Sequence, residues 1–273
     1  MKFTMENCKW FLSFVVVASF LVVWNTAEAN FLKVQQATFS HPYLSPQTSA
    51  TATLSVAATA NNLLVAAIAS DKSAGTYTVP SGFTRIGTAY TGASVSCDFA
   101  YKVATGGETA IDWHYTTSQE SAVWAGEYSG LVTSNVLDAS AVANSNDVSV
   151  SSQTSGTTAA TAQADELAIT FFGIDTDDSA DLTRSWTNSF TEVLYIDNPN
   201  PLGTAGLGIG QKTLSTIGTQ ETTASWTGSY NGGSGAGVDQ ACAGIATFKV
   251  AAEPTKARII RLRGVRLHGV RLR

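Results

Sequence analysis

Short apolar runs separated by turn residues recur along most of the chain. Each run has the length of a β-strand, and several alternate apolar with polar positions, as half-buried strands do. The predicted strands form two sets, residues 51–56, 63–69, 83–88, 95–103, 109–115 and 122–128, then 167–174, 190–196, 206–213, 221–226 and 240–250. A polar connector, residues 144–156, holds one weak strand at 148–150, and no window shows a helical stripe. The pattern predicts an all-β sandwich or barrel.

The two sets of strands resemble each other. Residues 60–71, ANNLLVAAIASD, and residues 164–175, ADELAITFFGID, share one frame of apolar and Asn/Asp/Glu positions, and we predict that both are central strands. Further matched pairs are SGFTRI with NSFTEV, and Trp113 with Trp226. Each half alone would leave one face of a sheet exposed. We therefore predict one β-sandwich domain, residues 30–250, of about ten to twelve antiparallel strands built from two similar halves.

The N-terminal residues have the pattern of a secretory signal. Two lysines give a weakly positive start, residues 10–24 are apolar, and residues 27–29, Ala-Glu-Ala, form a small-x-small cleavage site. The apolar run is shorter than the ~20 residues that a spanning helix needs. We predict a signal peptide at 1–29 and a secreted mature chain without a membrane span. An uncleaved N-terminal anchor is the alternative.

Of the three cysteines, Cys8 lies within the predicted signal. Cys97 and Cys242 remain in the mature chain, where export would permit a disulfide. Cys97 alternates with the apolar residues of a predicted strand, as a buried thiol does. Because the sequence does not show that the two β-carbons meet, we favour two free buried thiols over a bridge.

The composition changes abruptly in the last segment, residues 251–273. From Pro254 onward the chain holds seven of its 16 basic residues and none of its 21 acidic ones. Valine and leucine alternate with arginine, and glycines interrupt the alternation, which fits short amphipathic strands better than a helix. Five arginines are the candidates for docking to a partner: Arg261, Arg263, Arg266, Arg271 and Arg273.

Three interpretations of this basic tail stay open. It is a disordered terminus, an assembly peptide that adds a strand to the sheet edge of a protein partner, or a segment attracted to an anionic surface. Nucleic acid is the least favoured partner, because no aromatic stacking platform accompanies the arginines and the rest of the chain is acidic. These patterns do not define an oligomeric state.

Catalytic signatures are scarce. The three histidines lack metal-ligand spacing, and the chain has neither a GxSxG motif nor a nucleotide-binding glycine loop. A glycosidase would need two carboxylates across a cleft, for which Asp112, Glu120 and Glu127 are the candidates. Asp112 and Glu127 each alternate with aromatic residues, so we predict that both point to solvent. No enzymatic activity is predicted.

One acidic loop is the candidate for a metal site. Asp175, Asp177, Asp178 and Asp181 lie close together in the sequence GIDTDDSADL. Calcium takes oxygen ligands, and such a loop can supply several of them. Because the loop lacks the glycine and the closing glutamate of an EF-hand, a solvated acidic loop is favoured. No cofactor is predicted, and Ca²⁺ is the one candidate.

Four tryptophans follow the predicted signal. Trp113, Trp124 and Trp226 share strand faces with apolar residues, so we predict that they pack in the core. Trp186 lies in a polar stretch, and we predict that it is accessible and able to stack on a sugar ring. Together with residues of two predicted loops it gives the candidate carbohydrate site: Trp186, Asn198, Asn200, Tyr230 and Asn231.

Several of these motifs together resemble a known family. In chain order they are NNLLVAAIASD, SGFTRIG, FAYKVATGGETAIDW, WAGEYSG, DELAITFFG and ACAGIATFK. This series, from about residue 34 to residue 250, resembles a poorly characterised jelly-roll-like family of phage virion or tail-associated proteins and exported bacterial proteins. The resemblance implies a jelly-roll-like β-sandwich used for display, adhesion or particle assembly, and it carries no catalytic signature.

These observations predict a non-enzymatic binding and display module, secreted or virion-associated, that recognises surface carbohydrate through its loops. The alternative is a structural virion or surface protein whose basic tail docks to a partner. A glycan-active hydrolase is the least favoured interpretation.

Overall fold

The computed structural model describes residues 31–41, 46–146, 148, 150–176, 182–196, 204–227 and 240–252. These residues contain seventeen β-strands and no helix. The first half contains β1 (Leu32–Ser40), β2 (Gln47–Thr53), β3 (Leu63–Asp71), β4 (Tyr77–Thr78), β5 (Thr84–Arg85), β6 (Tyr90–Thr91), β7 (Val95–Val103), β8 (Ala110–Gln119) and β9 (Ser121–Ser129). The second half contains β10 (Leu137–Asn144), β11 (Ser152–Thr154), β12 (Asp165–Thr176), β13 (Thr183–Trp186), β14 (Thr191–Ile196), β15 (Thr204–Ser215), β16 (Thr223–Thr227) and β17 (Ala241–Lys249).

Each half contributes one large and one small antiparallel sheet. In the first half the large sheet has the order β1-β9-β3-β7-β5, with β6 also pairing with β7, and the small sheet has the order β2-β8-β4. In the second half the corresponding orders are β10-β17-β12-β15-β14 and β11-β16-β13. Apart from β6, the two halves therefore have the same topology. The predicted central strands are confirmed, because β3 and β12 each have a partner on both sides.

The internal repeat of the sequence is matched in the strand register. Leu63 at the start of β3 lies opposite Tyr128 of β9, and Leu167 near the start of β12 lies opposite Phe248 of β17. The first strand of each half has a register shift at the same place, between Lys33 and Gln35 in β1 and between Leu137 and Ala139 in β10.

The sheets pack as four layers, with the two large sheets in the middle. A central core lies between the large sheets and contains side chains from both halves, for example Leu63, Val65, Leu167 and Ile169. The intervening residues of β3, such as Leu64, belong to an outer core against the small sheet of the first half. Because both faces of β3 are covered, its sequence is an unbroken apolar run rather than an alternating one. The architecture agrees with the predicted all-β sandwich.

The structure has more strands than the ten to twelve that were predicted. β1 occupies a segment that contains no predicted strand, and β10 and β11 flank or enter the predicted polar connector. β13 occupies the stretch around Trp186 that was predicted to be a polar loop. These strands lie at sheet edges or in the small outer sheets, where one face meets solvent and long apolar runs are not needed.

The prediction of two free thiols is wrong, because Cys97 and Cys242 form a disulfide with a Cα–Cα distance of 6.3 Å. Cys97 lies in β7 and Cys242 in β17, so the bond crosses the central core and joins the two halves. Gly173 of β12 lies beside both sulfurs, and a side chain there would clash with Cys97 and with Ala69. Both cysteines are buried, and the Cα separation is within the range that a disulfide spans.

The predicted signal peptide and the basic tail from residue 253 lie outside the described residues, and so do most residues of the predicted metal and carbohydrate sites. The prediction that residues 30–250 form a single domain stays a prediction.

Candidate functional site

The two halves pack face to face through their large sheets, with matching strand ends together. We name the end at which β3 and β12 finish, near Asp71 and Asp175, the distal end, and the opposite end the proximal end. Two contacts show that the halves share the distal end. The Ser94 N–H donates a hydrogen bond to the Gln240 side-chain oxygen at 3.0 Å, and the disulfide joins β7 and β17 close to their distal starts.

The strand ends that flank the three segments with the predicted site residues lie at the distal end. Residues 177–181 follow β12, residues 197–203 connect β14 to β15, and residues 228–239 connect β16 to β17. The flanking strand ends are paired there, since Thr176 lies opposite Thr204 and Ile174 lies opposite Ala241. Seven predicted site residues lie in these loops, outside the described part: Asp177, Asp178, Asp181, Asn198, Asn200, Tyr230 and Asn231.

Trp186 is less accessible than predicted. It lies in β13 and is half-buried, with its ring centroid 5.2 Å from that of Phe172 and its indole against Gly210. The indole N–H is buried and has no hydrogen-bond partner among the described residues. The other three tryptophans, Trp113, Trp124 and Trp226, are fully buried, which confirms their predicted place in the core.

Charged groups from both halves meet at the distal end. The Lys72 ammonium lies 3.2 Å from the Asp71 carboxylate, and its pKa is raised chiefly by Asp71 and also by Asp175 and Glu120. The Asp71 N–H donates to the backbone oxygen of Glu120 at 2.9 Å. Within the described ranges no group of three or more His, Cys, Asp or Glu residues is arranged to hold a metal ion. The Ca²⁺ site predicted at Asp175 and its neighbours stays a prediction.

A buried hydroxyl network supports the distal end of the first half. The Tyr77 hydroxyl donates to Ser70 Oγ at 2.7 Å, and Ser70 Oγ donates to Ser121 Oγ at 3.2 Å. The Tyr115 hydroxyl lies 2.5 Å from the same Ser121 Oγ. Burial raises the pKa of Tyr77 well above its ordinary value, so the network stays neutral. Sequence analysis missed it; the only signal was serine at apolar positions of β3 and β9.

At the proximal end Glu127 is fully buried, and the prediction that it points to solvent is wrong. Its carboxylate accepts hydrogen bonds from Gln35 Nε2 at 2.5 Å, from Asn62 Nδ2 at 2.5 Å and from the Thr59 N–H at 2.9 Å. Burial acts to raise the pKa of Glu127, but these donors outweigh it and the pKa is lowered. The carboxylate ties the segment before β3 to β1 and β9.

The three candidate carboxylates of a glycosidase do not face each other. Glu120 lies at the distal end and Glu127 at the proximal end. Asp112 lies in β8 of a small outer sheet, where it is half-exposed and within 2.9 Å of His114 Nε2. The Thr51 hydroxyl donates to the other Asp112 oxygen at 2.7 Å. These three residues therefore offer no pair of carboxylates across one cleft.

A cleft of about 130 Å³ opens between the two halves, beside the disulfide. Its walls are largely apolar and include Tyr90, Phe99 and Val142, together with both cysteines. Its polar neighbour Asp98 is engaged elsewhere, because its carboxylate accepts hydrogen bonds from Arg85 Nε and from the Phe99 N–H.

Comparisons with protein-family models, curated proteins and solved structures find no match to this chain. In the described part of the chain, no helix is long and apolar enough to cross a membrane.

Proposed function

We propose that this protein is a non-enzymatic binding and display module, secreted or virion-associated, which recognises surface carbohydrate through the loops at its distal end. The observation that carries the proposal is that the two halves have matching distal and proximal ends. The segments that hold the predicted asparagine, tyrosine and aspartate site residues connect strand ends at the distal end, whereas the described chain begins and ends at the proximal end.

The proximal end is where both terminal segments begin. Leu32, the first residue of β1, lies opposite Ser129, the last residue of β9. The Ala251 N–H, just after β17, donates to the Gly130 backbone oxygen at 2.9 Å. A protein attached to a particle or a surface through residues 253–273, or through an uncleaved N-terminal anchor, would therefore present its distal end outward. This arrangement suits recognition by loops on a rigid β-scaffold.

On this proposal the sandwich built from the two similar halves is jelly-roll-like. In a jelly roll, successive strands alternate between two antiparallel sheets, which are built from Greek keys. The orders β10-β17-β12-β15 and β11-β16-β13 follow that alternation from β10 to β13 and from β15 to β17. β14 departs from it, because it joins the large sheet as a neighbour of β15. The first half has the same arrangement, with β5 in the place of β14.

The test is carbohydrate binding by the mature chain with substitutions at either end. We expect Tyr230→Ala with Asn231→Ala to lower binding on a glycan array at least tenfold. The matched control is Ile217→Ser, an exposed position in a proximal loop, which should leave binding unchanged. Equal binding by the two variants would contradict recognition by the distal loops, and turnover of a bound glycan would contradict a non-enzymatic role.

A structural role with a docking tail is the second candidate, and one observation favours it. β1 is an edge strand of its sheet and exposes Leu32 and Val34 beside the point where the chain leaves β17. Edge strands with exposed apolar residues can pair with another chain. Assembly into particles that is lost when residues 254–273 are deleted, while folding is kept, would favour this candidate. Unchanged assembly would exclude it.

A further inference from the structure

Lys249, the last residue of β17, has an acidic residue on each side of it. Its ammonium Nζ lies 3.6 Å from Oδ1 of Asp138 in β10. On the other side of β17, Lys249 lies directly opposite Glu166 of β12 in the strand register. Residues that are directly opposite in an antiparallel pair project to the same face of the sheet, with their β-carbons ~5 Å apart. The middle strand of three therefore places one amine between two carboxyl groups.

Water has little access to these side chains. Glu166 is fully buried, and neither of its carboxyl oxygens has a hydrogen-bond partner in the part of the chain that the structure describes. The side chain of Asp138 is 9% exposed and that of Lys249 is 23% exposed. A buried carboxyl group without donors favours its neutral form, so Glu166 is able to give and to accept a proton. Burial raises its pKa to about 7, and the charges of Asp138 and Lys249 also act on it.

Backbone groups hold the Asp138 carboxylate in place. Asp138 lies at the register shift of β10, and the next residue, Ala139, donates a hydrogen bond from its N–H to the Thr247 hydroxyl at 3.2 Å. The Ala162 N–H donates a hydrogen bond to Oδ2 of Asp138, the oxygen other than the one beside the lysine. A donor at Oδ2 stabilises the negative charge that develops there when a nucleophile attacks the carboxyl carbon.

We propose that Lys249 and Asp138 form an intramolecular amide, an isopeptide bond, which joins β17 covalently to β10. Glu166 relays a proton from the Lys249 ammonium to Oδ1 of Asp138, and the neutral Nζ then attacks Cγ. The bond that forms is Nζ–Cγ and the bond that breaks is Cγ–Oδ1. Both protons that leave Nζ go to Oδ1, which departs as water. An ammonium and a carboxylate thus become an amide and water, and the step needs no oxidant, reductant or further reactant.

The first half has the same strands but not the same side chains. In place of the aspartate, the lysine and the glutamate, its matching positions hold Val34, Ser129 and Asn62. Another lysine of that half, Lys102 in β7, lies 2.7 Å from Glu108. Lys102 is opposite Leu64 of β3, so this register partner cannot relay a proton. We therefore expect Lys102 to keep a free amine, and it serves as the internal control.

The crosslink would lie where the chain continues into the basic tail. β10 and β17 are the first and the last strand of the second half, and the chain runs on from Lys249 to residues 253–273. A pull on the tail would pass from Lys249 to Asp138 through the amide, without loading the strands between them. This inference does not depend on what the distal loops bind.

The test is the mass of the intact chain, residues 30–273, measured in denaturant after reduction of the disulfide. We expect the wild-type chain to be lighter than its sequence mass by one water molecule. Lys249→Arg and Glu166→Gln should keep their full sequence masses, whereas the matched control Lys102→Arg should lack one water molecule. Asp138→Asn should reach the same final mass as the wild-type chain, because ammonia leaves in place of water.

Tryptic peptide mapping locates the bond. The peptides that contain Asp138 and Lys249 should appear as one branched species, and trypsin should cleave after Lys102 but not after Lys249. The full sequence mass in the wild-type chain would overturn the proposal, and this result does not depend on any variant folding. A loss of water that persists in Lys249→Arg would equally overturn it, and one that persists in Glu166→Gln would overturn the role of Glu166 as the relay.

Discussion

The two halves of the molecule share one topology but place a buried glutamate on different strands at the same site. In the first half, Asn62 precedes Leu63 of β3 and donates to Glu127 of β9. In the second half, the equivalent positions hold Glu166, which precedes Leu167, and Thr247 of β17. The glutamate therefore lies on β9 in the first half and on β12 in the second, and neither of the two positions in the second half holds an amide side chain.

Burial acts to raise the pKa of both carboxyl groups, so the difference between them comes from the local hydrogen-bond donors. Both glutamates are fully buried. Three hydrogen bonds lower the pKa of Glu127, whereas burial raises that of Glu166 to about 7. The same backbone therefore contains one carboxylate that is ionised at neutral pH and one carboxyl that is largely protonated just below it.

The largest expected effect comes from removing the disulfide between the two halves. Replacing Cys97 and Cys242 by alanine removes the one covalent link across the central core that the described residues show. A disulfide that closes a loop of this length contributes about 5 kcal/mol in the chain-entropy model. We expect a loss of several kcal/mol in the free energy of unfolding, measured by urea titration under matched conditions. A loss below about 1 kcal/mol would mean that packing alone holds the halves together.

The next largest effect is the contribution of Glu166 to the pH dependence of the free energy of unfolding. The folded pKa of Glu166 is raised, so its contribution is fully present below the unfolded pKa and is lost as pH rises from about 4.5 to about 7. The free energy of unfolding should fall by roughly 3 kcal/mol across that window, and Glu166→Gln should remove this fall. Urea titrations at several pH values measure it. The same fall in both proteins would assign the pH dependence to other groups.

Glu127 should show the opposite sign. Its folded pKa is lowered, so its contribution is present above the unfolded pKa and is lost as pH falls. At pH 7 we expect Glu127→Gln to cost about 2 kcal/mol, because hydrogen bonds to a charged acceptor are replaced by weaker ones and two amide groups face each other. The variant should also lose part of the acid sensitivity of the wild-type chain. Unchanged stability at pH 7 would show that the three hydrogen bonds contribute little.

The smallest effect concerns two ion pairs, one in each half, that share one matching position. Arg85 pairs with the buried Asp98, and at the position matching Arg85 the second half has Glu192, which pairs with Arg184. Since Glu192 and Arg184 are partly exposed, Glu192→Gln should cost less than about 1 kcal/mol. A thermal unfolding series that includes Asp98→Asn would rank the two pairs. A larger cost for Glu192→Gln than for Asp98→Asn would contradict this account.

Sequence patterns predicted the parts of the fold that local burial determines. β3 and β12 are covered on both faces, so their apolar runs are long and recur, and the strands that carry Trp113 and Trp226 alternate clearly. Edge strands such as β1 were missed because half of their surface meets solvent.

The remaining errors concern pairs of residues that are distant in sequence. The disulfide depends on β7 and β17 facing each other across the core. The burial of Glu127 depends on a segment before β3 that folds over the end of β9 and supplies Thr59 and Asn62 as donors. No periodicity within one strand contains this information. The strand ends that flank the candidate carbohydrate residues are brought together by the topology, which single-strand patterns also do not show.

The most direct test of the proposed function compares glycan-array and whole-cell binding by residues 30–273 and residues 30–253 in matched salt. The account predicts that the shorter form keeps binding that free sugar competes for, because recognition lies in the distal loops. Binding by the longer form alone, fading as salt rises, would contradict it and assign the interaction to the arginine tail.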